Sequence, residues 1–271
     1  PVNFVDTYGR TPLHLACAYG HYAIANFLTD VGAKIDVEDL DGKTPLYNAA
    51  LGKHDKICKL LLERGAYLDY VNRKGLMYIH MACKWGHKSV VNFLIEKLTP
   101  AVLNCRDSEG LTSVHHCCIN RLSSILALVI ANGADVNLGD TTYVRTPLHY
   151  VCRKSTHYEI VVILLENGAA LERTDNTGAT PLYRACCSLN DHIVQLLVQK
   201  GANCNACTNE GKTPLHHASG QGLDWIIKLL IENGAEINLP DNSARTPLNY
   251  AFAKDHYDAM EILTRHGAKF Y

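Results

Sequence analysis

Fourteen histidines and eleven cysteines are the side chains of this 271-residue chain that metal binding, nucleophilic attack or proton transfer would use. Their spacing argues against all three. His14, His80, His115, His149 and His216 each stand three residues after Thr11, Met77, Thr112, Thr146 and Thr213, so they are distributed one to a segment instead of converging. An imidazole donates through one nitrogen and accepts through the other, which suits a bridge between neighbouring segments. Cys17, Cys83, Cys118, Cys152 and Cys186 recur six residues after the same position, where a small buried residue fits. Cys204-x-x-Cys207 has zinc-ligand spacing, with His216-His217 nearby, but zinc needs four converging ligands and this pair lies in a connecting segment. Cys117-Cys118 and Cys186-Cys187 point in different directions from a helix, unlike a redox pair. No nucleophile, base and orienting acid stand together, and no glycine-rich phosphate loop follows a strand. The chain reads as non-enzymatic, with no metal and no cofactor.

The element that must position these residues is a repeat. Its Thr position falls at 11, 44, 77 (Met), 112, 146, 180, 213 and 246, with intervals of 33 to 35 residues. A fixed period in this range marks a solenoid of small units, each touching only its neighbours. In the unit at Thr11, the Thr hydroxyl can cap a helix and Pro12 sits where its missing N–H costs nothing. Leu13, Ala16 and Cys17 are spaced to face a neighbour, and Gly20-His21 breaks the helix. Ile24, Phe27 and Leu28 predict a second helix, which Gly32 ends in the left-handed conformation that glycine tolerates best. Asp41-Gly42 is a hairpin signal just before Thr44-Pro45.

Thr-Pro-Leu-His at 11–14, 146–149 and 213–216, Gly-Ala after the second helices, and Asp-x-x-Gly-x-Thr-Pro at 6–12 together resemble the ankyrin repeat over essentially the whole chain. The resemblance implies an all-α solenoid of about eight helix-turn-helix units with β-hairpin connectors. One domain would cover 1–271, its repeats starting near 6, 39, 72, 107, 140, 175, 208 and 241. Val2 to Asp6 match Ile237 to Asp241, the stretch before a new repeat, so the chain reads as excised from something longer.

Composition narrows the partners. A formal net charge of -1 supplies no basic field for nucleic acid, and no apolar run approaches the roughly 18 residues of a membrane span. An odd cysteine count in regular packing positions predicts reduced thiols in an intracellular, cytoplasmic setting.

Departures from the pattern point to the binding surface. Met77-Tyr78-Ile79-His80 replaces Thr-Pro-Leu-His, and Lys97-Leu98-Thr99-Pro100-Ala101 lacks the glycine helix end. Arg121-Leu122 stands where Gly-His separates helices, and extra residues enter around Gly139 to Arg145 and Ser155 to Glu159. Both a specialised surface and drift in a tolerant middle are open readings. In ankyrin arrays the connector tips and exposed sides of first helices form the concave face. By that resemblance Met81, Lys84, Trp85, His116, Tyr143, Arg145, Tyr150, Arg153 and Arg184 are the candidate partner-binding residues, with Tyr8, Arg10, Arg73, Lys74 and Lys154 nearby. Aromatic and Arg side chains dominate binding hot spots, and the cations suit an acidic partner segment. The reading is a non-catalytic protein- or peptide-binding module, such as the recognition arm of a scaffold or ubiquitin-ligase receptor. The alternative is the regulatory region of an enzyme or channel whose active part lies elsewhere. The resemblance also offers Asn205 and Asn238, each eight residues after a Leu, as candidate hydroxylation sites; a turn-stabilising role is the simpler reading.

Overall fold

The computed structural model describes residues 1–67, 71, 75–97, 99–153 and 157–270. The repeat start near 72, Arg73, Lys74, Leu98, Lys154 and Ser155 lie outside the described residues. The chain divides into two compact units, residues 1–135 and 136–271.

The first unit carries α1 (Pro12–Ala18), α2 (Tyr22–Asp30), α3 (Pro45–Leu51), α4 (Asp55–Glu63), α5 (Tyr78–Trp85), α6 (Lys88–Lys97), α7 (Pro100–Leu103), α8 (Ser113–Ile119) and α9 (Ser123–Ala131). First helices pack on first helices, α1 on α3 and α5 on α8, and second helices on second, α2 on α4 and α4 on α6. The other unit carries α10 (Pro147–Val151), α11 (Tyr158–Glu166), α12 (Pro181–Cys187), α13 (Asp191–Gln199), α14 (Pro214–Gly220), α15 (Asp224–Glu232), α16 (Pro247–Phe252) and α17 (Tyr257–Arg265). It repeats the arrangement, with α12 on α14, α14 on α16 and α13 on α15.

The Thr-Pro starts at Thr11, Thr146 and Thr213 are each closed by their own histidine. The Thr11 N–H donates to His14 Nδ1 at 3.0 Å, and the His14 Nε2 reaches the Lys43 carbonyl of the next repeat, also at 3.0 Å. A histidine thus takes the place of the acid in a capping box. His80, His149 and His216 reach Cys105, Ala179 and Arg245 carbonyls in the same way, each at 3.0 Å. Met77 has no hydroxyl to offer, so only the histidine half survives: its N–H donates to His80 Nδ1 at 3.2 Å. The second helices end at Gly32, Gly65, Gly133, Gly168, Gly201, Gly234 and Gly267, all at φ of 80 to 92°. The position between helices is also left-handed, at φ 77° in Gly20 and 85° in Gly86, but also at 60° in Lys53, 61° in Arg121 and 54° in Leu189. Arg121 therefore replaces a glycine without altering the turn.

The core is the stacked inner faces of the helices. Cys17, Cys83, Cys118, Cys152 and Cys186 are fully buried in it, and all eleven cysteines are free thiols. Ile57, Ile125, Ile193 and Ile226 are at most 2% exposed, whereas Ile24 in the same register is 52% exposed. The cause is packing: α4 lies between α2 and α6, while α2 has α4 on one side.

The connectors correct one expectation. Among the described residues they form no β-hairpin strands, and a single antiparallel bridge joins Val71 to Met77. An aspartate does the folding instead. Asp6 Oδ1 accepts from the Tyr8 and Arg10 amides, each at 2.9 Å, and the Asp6 N–H donates to the Arg10 carbonyl at 3.0 Å. Asp39, Asp107, Asp175 and Asp241 close their connectors likewise. With the loop already shut across four residues, too little chain remains for a strand ladder. The connector that lacks a glycine helix end becomes α7: Pro100 takes its first position and Leu103 is buried beneath it, with Ser113 Oγ donating to the Leu103 carbonyl at 2.8 Å.

Candidate binding face

The position after each histidine begins the candidate surface, and the connector aspartates account for much of it. In the first unit, His116 is buried, its Nε2 2.9 Å from Asp107 Oδ2. Met81 is 0% exposed. Both were expected at the surface and neither reaches it: Met81 packs into the α5 core, and His116 braces the connector of its own repeat. Lys84 is exposed at the last turn of α5 and borders a cleft of about 200 Å³ with Asp107, Glu109 and Leu111. Trp85 is half-buried, its ring edge-on to Tyr47 of α3 with centroids 5.8 Å apart. Part of the indole is thus used in packing between repeats.

In the second unit Tyr143 is exposed at a connector tip, with the Arg145 guanidinium 4.4 Å from its ring centroid. Arg145 Nε also lies 3.5 Å from Asp175 Oδ2. Tyr150 donates its hydroxyl to Asp140 Oδ2 at 3.0 Å, and Arg184 Nε donates to Asp175 Oδ2 at 2.8 Å. Tyr250 repeats the pattern on Asp241 at 2.7 Å. Arg153 is exposed. Burial would push the Asp175 carboxyl up, but hydrogen bonds from Thr177 and Arg184 outweigh it and hold the group down to about 2. Arg184 is therefore committed to Asp175, which Arg145 also approaches, leaving Tyr143 and Arg153 as the more accessible part of the set.

Asn205 and Asn238 are both clamps between repeats. Asn205 Nδ2 donates to the Gly234 carbonyl at 2.9 Å while its Oδ1 accepts from the Glu236 amide at 2.8 Å. Asn238 does the same to Gly267 and Lys269, at 3.0 and 2.9 Å. Asn3, Asn104 and Asn137 make the same pair of bonds.

Two features escaped the sequence reading. A second histidine register bridges repeats: His54 Nε2 lies 3.2 Å from the Ala18 carbonyl, and His87 lies 2.7 Å from the Ala50 carbonyl and 2.6 Å from Asp55 Oδ1. The Gly86-His87 pair signalled one of them, whereas His54 follows Lys53 and shares only the register, ten residues after the Thr position. The other is a cationic cleft in the last repeats, whose His217 and Tyr250 hold the concave-face register but were not among the candidate partner-binding residues. Cys204 is buried and Cys207 exposed; among the described residues no three His, Cys, Asp or Glu side chains are grouped as a metal site requires.

A sequence model described as "Ankyrin repeats (3 copies)" matches residues 1–73, 65–140, 125–208 and 190–271. The chain belongs to the ankyrin-repeat family. This ankyrin array is also 35% identical over 85 residues to tyrosine-protein kinase HTK16 of Hydra vulgaris. The match covers 31% of the array and 11% of that kinase's length. Ankyrin repeats are protein-interaction modules and generally non-catalytic, in keeping with a face made of side chains that brace connectors. Among the described residues no helix is long and apolar enough to cross a membrane.

Proposed function

We propose that this array is a non-catalytic intracellular recognition module. It holds a protein or peptide on the face formed by its first helices and connector tips, acting as one eight-repeat domain of a scaffold or a ubiquitin-ligase receptor. The observation that carries this reading is the Tyr143–Arg145 pair: an aromatic ring 46% exposed under a guanidinium, at a connector tip that Asp140 folds without its help. Exposed Arg153 extends the set in the same unit, and exposed Lys84 with half-buried Trp85 are the candidates of the first unit. The cations among them suit acidic residues in the partner. Neither a nucleic acid nor a bilayer fits a chain of formal net charge -1 with this surface.

The test is affinity capture with the wild-type array beside Trp85→Ala and Tyr143→Ala, with Lys56→Ala and Glu232→Ala on second helices as controls. A partner that both aromatic variants lose and both controls keep supports the reading. Loss in the controls alone moves the interface to the opposite face.

The similarity to a segment of a tyrosine kinase favours a second reading, in which the array regulates or targets a catalytic part outside this chain. Asn205 and Asn238 remain candidate hydroxylation substrates. Because both side-chain ends are engaged, reaching the Cβ of either requires the neighbouring repeat to open locally.

A further inference from the structure

Between α14 and α16 the surface opens into a cleft of about 300 Å³. Tyr183 and His217 form one wall, their ring centroids 5.8 Å apart, and Tyr250 forms the other. The opening has a local cause. Gly220 stands where other repeats carry Leu51, Ile119 or Cys187, and a Cβ added there would lie 3.3 Å from Tyr250 Cδ1. A missing side chain in an otherwise regular helix thus leaves room for one from outside.

Lys212, Arg245 and Lys254 line the cleft, and no acidic residue does. Lys212 Nζ lies 5.7 Å and Arg245 Cζ 4.8 Å from the Tyr250 centroid, so the ring's electron-rich face is already turned to cations. Arg245 and Lys212 carry counter-charges in Asp241 and Glu210, neither of which lines the opening. Asp241 is 5% exposed and occupied by Tyr250, Arg245 and two backbone amides. Glu210 pairs with Lys212 at 2.6 Å through a side chain that is 71% exposed, so its pairing is open to solvent and to competition from an incoming carboxylate. Burial, followed by the charge of Lys212, lowers the pKa of His217. Three other clefts lack this combination. The one at Arg10 and Lys43 contains Asp39 and Asp41, the one at Lys84 contains Asp107 and Glu109, and the one at Tyr158 and His192 has no Lys or Arg.

We propose that this cleft binds an acidic peptide segment, seating one large apolar side chain over Gly220 between the tyrosines while adjacent carboxylates meet Lys212, Arg245 and Lys254. A volume near the lower limit of ordinary ligand pockets suits one anchoring side chain. The proposal rests on the protein-recognition reading but places the anchor in the last repeats.

The test uses a fluorescein-labelled hexapeptide, Leu-Asp-Phe-Asp-Glu-Leu, and its Asn/Gln counterpart, titrated by anisotropy into the full chain. The acidic peptide is expected to bind saturably and at least about tenfold tighter than the neutral one, weakening as salt rises. The Lys212→Ala/Lys254→Ala double variant should lose about tenfold or more, and Gly220→Leu should block binding. Lys228→Ala, on α15, should bind like wild type. Thermal melting checks that Gly220→Leu folds; if it does not, the double lysine variant decides. Absence of saturable binding, equal affinity for the two peptides, or wild-type affinity in the double variant overturns the proposal. A captured protein lost with Tyr143→Ala yet indifferent to the double lysine variant overturns this cleft and leaves the recognition module standing.

Discussion

Arg184 and Asp175 form a nearly dry ion pair within one repeat: the guanidinium is 19% exposed, the carboxylate 0%, and Arg184 Nε donates to Asp175 Oδ2 at 2.8 Å. The same geometry recurs with other chemistry at His116 on Asp107, Tyr150 on Asp140 and Tyr250 on Asp241. One helix position thus latches the connector that folds back over it, and the residue type varies while the acceptor stays a carboxylate.

Breaking that latch should register in acid. The Asp175 carboxyl is held down to about 2, so its contribution to stability is present above the unfolded-state value of about 3.9 and fades as pH falls from there toward 2. Arg184→Ala should raise the carboxyl's pKa and move the acid-unfolding limb to higher pH. At neutral pH it should cost about 2 kcal/mol, less than the ~3–5 of a fully stripped buried pair, because Thr177 and Ala179 keep their bonds. Urea melts across pH, with carboxyl titration by NMR, are the measurement; an unmoved acid limb would refute the latch.

His14, His80, His149 and His216 should give a second, milder pH response. Burial lowers all four pKa values, and each Nδ1 accepts a backbone N–H, so protonation there breaks a cap. A depressed histidine favours the folded state above the unfolded value of about 6.5, and the benefit is lost as pH falls below it. Urea midpoints should therefore drop between pH 7.5 and 5.5. Asn249 already fills this place in the last repeat, its Oδ1 2.8 Å from the Thr246 amide, so His149→Asn should flatten part of the slope while keeping the cap. An unchanged slope in that variant would exclude His149 as a contributor.

Ser219 occupies the register of Cys17, Cys83, Cys118, Cys152 and Cys186, fully buried with no hydrogen-bond partner for its hydroxyl. A buried unsatisfied hydroxyl costs on the order of 1 kcal/mol or more. Ser219→Cys and Ser219→Ala should both stabilise by about 1 kcal/mol in equilibrium unfolding. Destabilisation by both would mean the hydroxyl is satisfied after all.

Met77→Thr should restore the missing cap hydroxyl beside His80 and stabilise the third repeat by about 1 kcal/mol, within the usual ~0.5–2 range for caps. Amide exchange should slow across α5 and α6 more than across α13 to α15. Uniform or unchanged protection would show that Met77 does not limit local opening.

Local signals determined the repeat. Thr-Pro starts, left-handed glycines and period-33 histidines act through bonds within one or two turns, so the helix positions, the structural histidines and the packing cysteines could be read from residue order. Exposure was a different matter. Met81 and His116 share a register with exposed-looking tyrosines, and only the tertiary structure showed that one is core and the other a buried latch on the connector of its own repeat. The hairpin signal at Asp41-Gly42 was overridden because the Asp39 carboxylate, two residues earlier, takes the Asp41 and Lys43 amides that a strand partner would need. Trp85 is half-covered by Tyr47, 38 positions earlier in the chain, and Gly220 opens a cleft only because Tyr250 of the following repeat stands opposite it. Sequence set the periodic scaffold because capping and turn chemistry is local; which side chains face outward was decided by contacts between repeats, which residue order does not encode one position at a time.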